Sequence, residues 1–320
     1  MQKKTALLVG GTGQIGLYLS KYLIKKRYKV FITSRKIKKE TIEKLDYLKI
    51  KKKVKLLTVK KFEIKRIKKI LLFCRPNEIY YLAGQSSVAE SFKKKKETLK
   101  SNVEGCHKFL ESTRLFLKDA KFFNASSSEI FGNSKKKIRI NAKKTPVSPY
   151  GKAKLNSFKI TDWYRKKYKL KTFNGIIFNS ESYLRPKKYL IPKICLAAIN
   201  TKKNNSLITE FGNIDIYRDW GWSEEQVKLI WKYMQKKPGN FIIATGKSFK
   251  ARNLIQYAFK TLKLNYKKNI KISKKYIRPK EIKKIEVSIS KKNQSELKVN
   301  GIMIIRKLLK YYIKKGKTWN

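Results

Sequence analysis

The feature that most constrains the fold is a glycine-rich turn between a short apolar segment and an amphipathic one. Residues 6–9 form an apolar run that predicts a strand, and the motif GGTGQIG follows it directly. Ile15, Leu19 and Leu23 then recur at helical spacing. In this context the glycines let the backbone approach a phosphate, and the helix N-terminus favours its negative charge. The motif therefore predicts a dinucleotide-binding turn, with contacts from Gly10, Thr12, Gly13, Gln14, Ile15 and Gly16.

Strand-like and helix-like segments alternate through the first half of the chain. Further strands are predicted at residues 30–33, 55–59, 78–83, 122–125, 172–178 and 241–245, and helices at 67–73, 103–116 and 150–168. This alternation is typical of α/β proteins and predicts a Rossmann-type doubly wound parallel sheet, with a smaller C-terminal substrate-binding lobe. We expect loops at residues 200–206 and at the lysine runs 93–96 and 135–137.

Lysine dominates the charge of the chain. Its 320 residues include 81 Lys and Arg against 21 Asp and Glu, a formal net charge of +60. A nucleic-acid or anionic-surface binder is one interpretation of this charge. Only 12 of the basic residues are arginine, however, and the lysines are spread over nearly every segment. We therefore favour compositional drift toward lysine, and expect neither nucleic acid nor membrane among the partners.

The cysteines and the apolar runs indicate a cytoplasmic protein. Cys74, Cys106 and Cys195 are odd in number, widely spaced and set in apolar surroundings, which predicts reduced core residues. No apolar run approaches the roughly 20 residues of a membrane-spanning helix. The N-terminus also has no secretory signal pattern. With His107 as the single histidine, the sequence predicts no metal site.

The end of the second predicted strand favours a phosphorylated cofactor. Chains that bind NAD usually place Asp or Glu there to hold the ribose hydroxyls. This sequence reads ITSRK, with no acid. Because Arg35 can pair with a 2′-phosphate, NADP is the expected cofactor.

Four polar residues downstream predict redox chemistry on a hydroxylated substrate. The spacing of Tyr150 and Lys154 puts both side chains on one helix face, and a neighbouring ammonium lowers the pKa of a phenol from about 10. Such a tyrosine can take a proton from a sugar hydroxyl as hydride leaves the same carbon. Ser127 and Glu129, in NASSSEIFG, add a hydrogen-bond donor and a second acid–base group.

Eight motifs follow one another along nearly the whole chain: GGTGQIG, EIYYLAGQSSVAESF, NASSSEIFG, SPYGKAKL, NGIIFNSES, GNIDIYRDWG, FIIATG and KYIRPKEI. Together they resemble the GDP-mannose 4,6-dehydratases, which belong to the extended short-chain dehydrogenase/reductase superfamily. The glycine turn and the Y-x-x-x-K spacing are shared by the whole superfamily. The specific resemblance lies in FNSES, YRDWG, IATG and YIRPKE.

The resemblance implies a lyase that converts GDP-mannose to GDP-4-keto-6-deoxymannose with NADP. Tyr150 would deprotonate the 4-hydroxyl as hydride leaves C4, and Ser127 would hydrogen-bond the 4-oxygen. Glu129 would then remove the C5 proton and help expel water from C6, to which hydride returns. Lys154 would bind the nicotinamide ribose and tune Tyr150.

Other family positions carry over individually. The resemblance implies further cofactor contacts from Leu82, Ala83, Gln85, Ser86 and Arg185. It implies substrate contacts from Ser128, Asn179, Glu181, Lys193, Arg218 and Arg278. Residues 1–179 plus about 213–246 would form the NADP-binding domain, and about 180–212 plus 247–320 the nucleotide-sugar-binding lobe. The family also implies a homo-oligomer, a dimer or a tetramer.

Several positions depart from the family pattern. Lys60 and Lys61 stand where the family has an Asp-Leu pair that contacts adenine, and Ser180 replaces a histidine. Two alternatives therefore stay open. One is another NADP-dependent nucleotide-sugar epimerase, decarboxylase or dehydratase on the same fold, and the other is a catalytically impaired basic binding protein.

Overall fold

The computed structural model describes residues 3–134, 136–290, 296–316 and 318–319. The described strands are β1 (Thr5–Val9), β2 (Lys29–Ser34), β3 (Val54–Thr58), β4 (Glu78–Tyr81), β5 (Lys121–Ser127), β6 (Thr172–Ile177), β7 (Asn179–Glu181), β8 (Thr209–Phe211), β9 (Tyr217–Trp222), β10 (Gly239–Ile243), β11 (Ser248–Lys250) and β12 (Ile270–Ile272). The described α-helices are α1 (Gln14–Lys25), α2 (Lys39–Tyr47), α3 (Ile64–Cys74), α4 (Val88–Lys93), α5 (Lys95–Leu99), α6 (Gly105–Phe116), α7 (Pro149–Tyr168), α8 (Leu190–Lys203), α9 (Ser223–Met234), α10 (Ala251–Thr261) and α11 (Gly301–Lys315).

Contacts divide the chain into two compact units. The first comprises Met1–Phe131, Lys143–Ile177 and Val227–Ile243. The second comprises Gly132–Ala142, Phe178–Gln226 and Ala244–Asn320. Each unit has its own strands and its own apolar core.

The first unit is built on a seven-stranded parallel sheet in the order β10-β6-β5-β4-β1-β2-β3. The chain runs outward from β1 through β2 and β3, and then returns to place β4 on the other side of β1. This reversal puts a topological switch point at the carboxyl ends of β1 and β4, where such sheets bind ligands. The predicted Rossmann-type doubly wound fold is confirmed.

A buried row of asparagines joins helix α7 to the sheet beneath it. Asn124, Asn174 and Asn240 are register neighbours on β5, β6 and β10. The Asn124 side chain donates to the Asn174 Oδ1 at 3.0 Å. Asn174 in turn donates to the Asn240 Oδ1 and to the Phe158 carbonyl of α7, each at 3.1 Å. Since unpaired buried amides are costly, these bonds favour one position of α7 on the sheet.

The second unit contains two small sheets, β11-β9-β7 and β12-β8. Helices α8, α10 and α11 pack around an apolar cluster that includes Trp220 and Trp222. Trp220 is buried and is part of this core.

Two of the expected loops are helical in part, whereas residues 94 and 204–206 belong to no helix or strand, as expected of a loop. Residues 200–203 continue helix α8 to its end, and residues 93, 95 and 96 lie in α4 and α5. Both stretches lack glycine and proline, and lysine is a good helix former, so the helix persists. Lys202 and Lys203 also complement the negative end of the α8 dipole. In the third lysine run, residue 135 lies outside the described residues, and residues 136 and 137 belong to no helix or strand.

The first and third turn glycines have different structural demands. Gly10 has a φ of +71°, and a Cβ there would lie 2.5 Å from the Ala83 Cα. Gly13 has a φ of −76°, and a Cβ there would meet no atom within 4 Å. The backbone therefore requires a glycine at position 10, whereas position 13 leaves open space beside the turn.

We expect Gly10→Ala to lower the free energy of unfolding by about 2 kcal/mol or more, because it adds both backbone strain and a steric clash. Gly13→Ala is the matched control and should stay within about 0.5 kcal/mol of the wild-type value. Urea unfolding of the two variants measures both effects. Equal losses of stability would contradict this account of the turn.

Candidate active site

The glycine turn lies at the switch point of the first unit. Helix α1 begins at Gln14, directly after Gly13, so its first backbone N–H groups are available to an anion. The turn reaches the end of β2, where the Thr12 Oγ1 lies 3.5 Å from the Ser34 Oγ. Gly16 and Ile15 fall within the first turns of α1.

The residues after β4 line the same edge of the sheet. The Leu82 N–H donates to the Val9 carbonyl at 2.9 Å, and Ala83 lies against Gly10. Gln85 and Ser86 follow, and the Gln85 Oε1 is a buried acceptor with no hydrogen-bond partner among the described residues. The open space beside Gly13 and this buried acceptor both fit a dinucleotide bound at this edge of the sheet.

Arg35 follows β2 directly and is largely exposed. Its Nη1 lies 3.3 Å from the Glu97 Oε1 of helix α5. Sequence reasoning missed Glu97, because the residue lies 62 positions away in a lysine-rich stretch. Only the fold shows that an acid reaches the end of β2.

The end of β5, the turn that follows it and the start of α7 carry the four candidate catalytic residues. These are Ser127, Glu129, Tyr150 and Lys154, called the tetrad below. The Ser127 Oγ accepts the Glu129 N–H at 3.3 Å and caps the short 3₁₀ turn Ser128–Ile130. Ser148 caps α7 by accepting the Gly151 N–H at 3.0 Å. A Cβ on Gly151 would lie 2.7 Å from the Glu129 carbonyl oxygen, so glycine there allows the two segments to touch.

Tyr150 and Lys154 occupy one face of the first turns of α7, and both are buried. The Lys154 Nζ lies 5.8 Å from the Tyr150 ring centroid and donates to the Ala125 carbonyl at 2.8 Å. Burial lowers the pKa of Lys154 to about 8, and the nearby Cys106 opposes this shift. Lys154 therefore stays mainly protonated at neutral pH and can present its charge beside the phenol.

In the second unit, Arg218 and Arg278 share one carboxylate. The Glu281 Oε1 accepts from Arg218 at 3.2 Å and from Arg278 at 2.9 Å. Both guanidinium groups therefore lie within hydrogen-bond reach of one carboxylate. Such a pair suits a phosphate or diphosphate, for which arginine offers several N–H donors. Glu281 itself was not singled out from the sequence, although it stands in the quoted motif KYIRPKEI.

The remaining candidate substrate residues of the second unit lie in two places. The Lys193 Nζ lies 4.1 Å from the ring centroid of Tyr276 and 4.9 Å from that of Phe211, and burial lowers its pKa. Asn179 begins β7, and its carbonyl accepts from Gln226. Glu181 forms an ion pair at 3.6 Å with Arg185, which is a candidate cofactor contact.

A further buried acid joins two of the quoted motifs. Asp219 of YRDWG accepts from the backbone N–H of Thr245, from the Thr245 hydroxyl and from the Gly246 N–H, at 2.7–3.1 Å. Burial raises the pKa of Asp219 to about 6, although these hydrogen bonds favour its ionised form. Asp219 thus fixes the IATG turn, a role that no local pattern indicates.

Two kinds of site have no candidates in the described part of the chain. None of its helices is long and apolar enough to cross a membrane. Among the same residues, no group of three or more His, Cys, Asp or Glu side chains could hold a metal ion.

The fold resembles solved structures of nucleotide-sugar enzymes. The structure of dTDP-glucose 4,6-dehydratase from Bacillus anthracis in complex with NAD has a TM-score of 0.84 at 16% identity, over 99% of this chain and 98% of that one. The structure of UDP-glucuronic acid 4-epimerase from Bacillus cereus, in complex with UDP-glucuronic acid and NAD, has a TM-score of 0.82 at 18% identity, over 97% and 99%. These likenesses define the class of fold, which is a Rossmann-type α/β protein.

Sequence relatives define the family more narrowly. Residues 7–308 match the family described as GDP-mannose 4,6 dehydratase. GDP-mannose 4,6 dehydratase 1 of Arabidopsis thaliana is 31% identical over 300 residues, which is 90% of this chain and 83% of that protein. GDP-mannose 4,6 dehydratase of Drosophila melanogaster is 30% identical over 320 residues, covering 91% and 80%. The chain belongs to the GDP-mannose 4,6-dehydratase family, which confirms the resemblance of its motifs.

Glu181 provides a pH test of the second unit. Burial raises its pKa from 4.5 to about 7, and Arg185 opposes this shift. The stability that protonated Glu181 contributes is therefore full below about pH 4.5 and lost as the pH rises through 7. We expect Glu181→Gln to remove up to about 3 kcal/mol of that pH dependence.

The measurement is urea unfolding of wild type and variant between pH 4 and 8. Glu63→Gln, at an exposed position, is the matched control and should follow the wild-type curve. An unchanged pH slope for Glu181→Gln would show that Glu181 does not hold its proton in the folded state.

Proposed function

We propose that this protein is a hydro-lyase that converts GDP-mannose to GDP-4-keto-6-deoxymannose. The proposal rests on one observation: the backbone contact at Gly151 brings the segment of Glu129, a buried acid, against the first turn of α7, which carries Tyr150 and Lys154. A simple ketone reductase needs the tyrosine and the lysine but no second acid–base group. A dehydratase needs both, because it removes protons from two different atoms of the sugar.

We also propose NADP as the cofactor, held by the residues of the switch point. The diphosphate would bind at the α1 N-terminus beside Gly13, and Arg35 would meet the 2′-phosphate. Bound NADP would accept a hydride from C4 of the sugar and later return it to C6. Lys154 would hold the nicotinamide ribose, and Arg185 would add a further cofactor contact.

The first chemical role of the protein is to take a proton from the sugar 4-hydroxyl. Tyr150 would act as the base as the C4–H bond breaks, leaving a ketone at C4. The Lys154 ammonium favours the phenolate by its charge. Ser127 would donate a hydrogen bond to the 4-oxygen, with Ser128 as a further substrate contact.

The second role is elimination of water. A C4 ketone acidifies the neighbouring C5–H, and Glu129 would remove that proton. The same carboxyl would then protonate the departing C6 hydroxyl, so that water leaves and a C5=C6 bond forms. Hydride addition at C6 and protonation at C5 would complete the reaction. The C5 proton balances the one that Tyr150 took from the 4-hydroxyl, so the reaction loses only water and involves no net oxidation.

Binding of the GDP portion would rest on charges of the second unit. Arg218 and Arg278 would hold the diphosphate, supported by the convergence of their guanidinium groups at Glu281. Lys193, Asn179 and Glu181 are the further proposed substrate residues.

A homo-oligomer and a cytoplasmic location stay predictions. Within the described chain the three cysteines are buried free thiols, which supports a reducing compartment.

The first experiment is incubation of the purified protein with NADP and GDP-mannose. We expect a product lighter by one water, detected by mass spectrometry. Loss of water from a different nucleotide hexose would keep the chemistry and change the substrate. If no nucleotide sugar reacts although NADP binds, the dehydratase proposal is wrong.

Glu129→Gln should lower kcat by about 10²–10⁴-fold, because the variant has no base for the C5 proton. Exchange of the C5 hydrogen with deuterated solvent should fall with it. Glu63→Gln is an exposed acid-to-amide control and should keep the wild-type turnover. Full turnover by Glu129→Gln would contradict the assignment of Glu129 as the C5 base.

Arg278→Gln should raise KM for GDP-mannose about tenfold, a loss of about 1.4 kcal/mol, with a smaller effect on kcat. Arg306→Gln removes an exposed arginine of the same unit that contacts only the Tyr257 hydroxyl in the described structure, and serves as the control. An equal change of KM in the two variants would mean that Arg278 acts only through overall charge.

A further inference from the structure

The ion pair between Arg35 and Glu97 lies where the adenosine ribose of a dinucleotide is expected. Arg35 follows β2, and the neighbouring Ser34 lies beside Thr12 of the glycine turn. Glu97 reaches this place from α5, with its Oε1 3.3 Å from the Arg35 Nη1. The two side chains are 70% and 41% exposed, so the pair is open to a ligand.

Helix α5 is attached to the cofactor edge of the sheet through Ser101. The Ser101 Oγ donates to the Glu97 carbonyl at 2.7 Å and accepts the Gln85 N–H at 3.2 Å. Asn102 adds a bond of 3.1 Å to the Gln85 carbonyl. Glu97 is therefore tied to the segment after β4 and does not meet Arg35 through a loose loop.

We infer that Glu97 is a specificity-determining residue of the dinucleotide site, whose carboxylate opposes binding of a 2′-phosphate and accepts an unphosphorylated ribose. The inference rests on the proposed dinucleotide function of this edge. It predicts a site that binds both NADP and NAD, with less preference for NADP than Arg35 alone would give.

The charges of Arg35 and Glu97 explain both the weaker preference for NADP and the binding of NAD. A 2′-phosphate needs the N–H groups of Arg35, but Glu97 already occupies one direction around that guanidinium and repels the phosphate. The pair is exposed and therefore weak, so NADP can still displace Glu97 from Arg35. An unphosphorylated ribose has no such conflict. Its hydroxyls can donate to Glu97, since a carboxylate that holds Arg35 with one oxygen keeps further acceptor positions.

The test is direct measurement of nucleotide binding without substrate. Isothermal titration of the full-length protein gives the Kd for NADP and for NAD. We expect Glu97→Gln to tighten NADP by about fivefold and to weaken NAD by about threefold. Arg35→Gln should weaken NADP by about tenfold and leave NAD within about twofold.

Glu104→Gln is the matched control, since Glu104 is an exposed acid seven positions along the chain whose loss changes the net charge equally. It should tighten both nucleotides slightly and alike. If Glu97→Gln behaves in the same way, Glu97 acts only through overall charge and the inference is wrong. Equal weakening of both nucleotides with a lower melting temperature would assign Glu97 a structural role and overturn the inference as well. If wild type binds neither nucleotide, the proposed cofactor itself fails.

Discussion

The contact between the end of β5 and the first turn of α7 is the constraint on which the candidate chemistry depends. The missing side chain of Gly151 lets the helix touch the Glu129 carbonyl, and Ser148 fixes where the helix begins. Lys154 is then held by the Ala125 carbonyl. The asparagine row beneath α7 fixes the helix on the sheet. Backbone contacts and amide pairs therefore position the segments that carry the tetrad.

The distribution of acids explains how a chain of +60 keeps an ordered interior. Glu78 is buried and accepts from the hydroxyls of Tyr28 and Tyr80 and from Gln235, all neutral donors. Asp219 is held by a backbone turn, and Glu281 by two arginines. Lysine pairs such as Lys51–Asp46 are exposed and contribute little. The contacts given for these three acids thus come from neutral side chains, a backbone turn and arginine, which agrees with interpretation of the charge as compositional drift.

Local sequence patterns predicted much of the sheet because buried parallel strands and glycine turns have strong signatures. Strand β1 before Gly10 and helix α3, which ends at Cys74, lie where the sequence pattern predicted a strand and a helix. The end of α8 was missed because a polar run without glycine or proline is as compatible with helix as with loop. Tyr150 and Lys154 were found by spacing within one helix. Glu97 and Asp219 were not, since their partners come from distant segments and no short window contains them.

The two candidate phosphate-binding arrangements differ in how many arginines pair with each acid. This local pairing distinguishes them better than the total charge of the chain does. At the end of β2, one arginine faces one acid, so the pair is neutral and its balance decides between a phosphate and a hydroxyl. At Glu281, two arginines share one acid, and the proposed role of this arrangement is to hold the diphosphate of the substrate. The field of 81 basic side chains attracts every anionic nucleotide but distinguishes none of them. Selectivity among nucleotides must therefore come from the few carboxylates, because each one offsets the charge of the arginines with which it pairs.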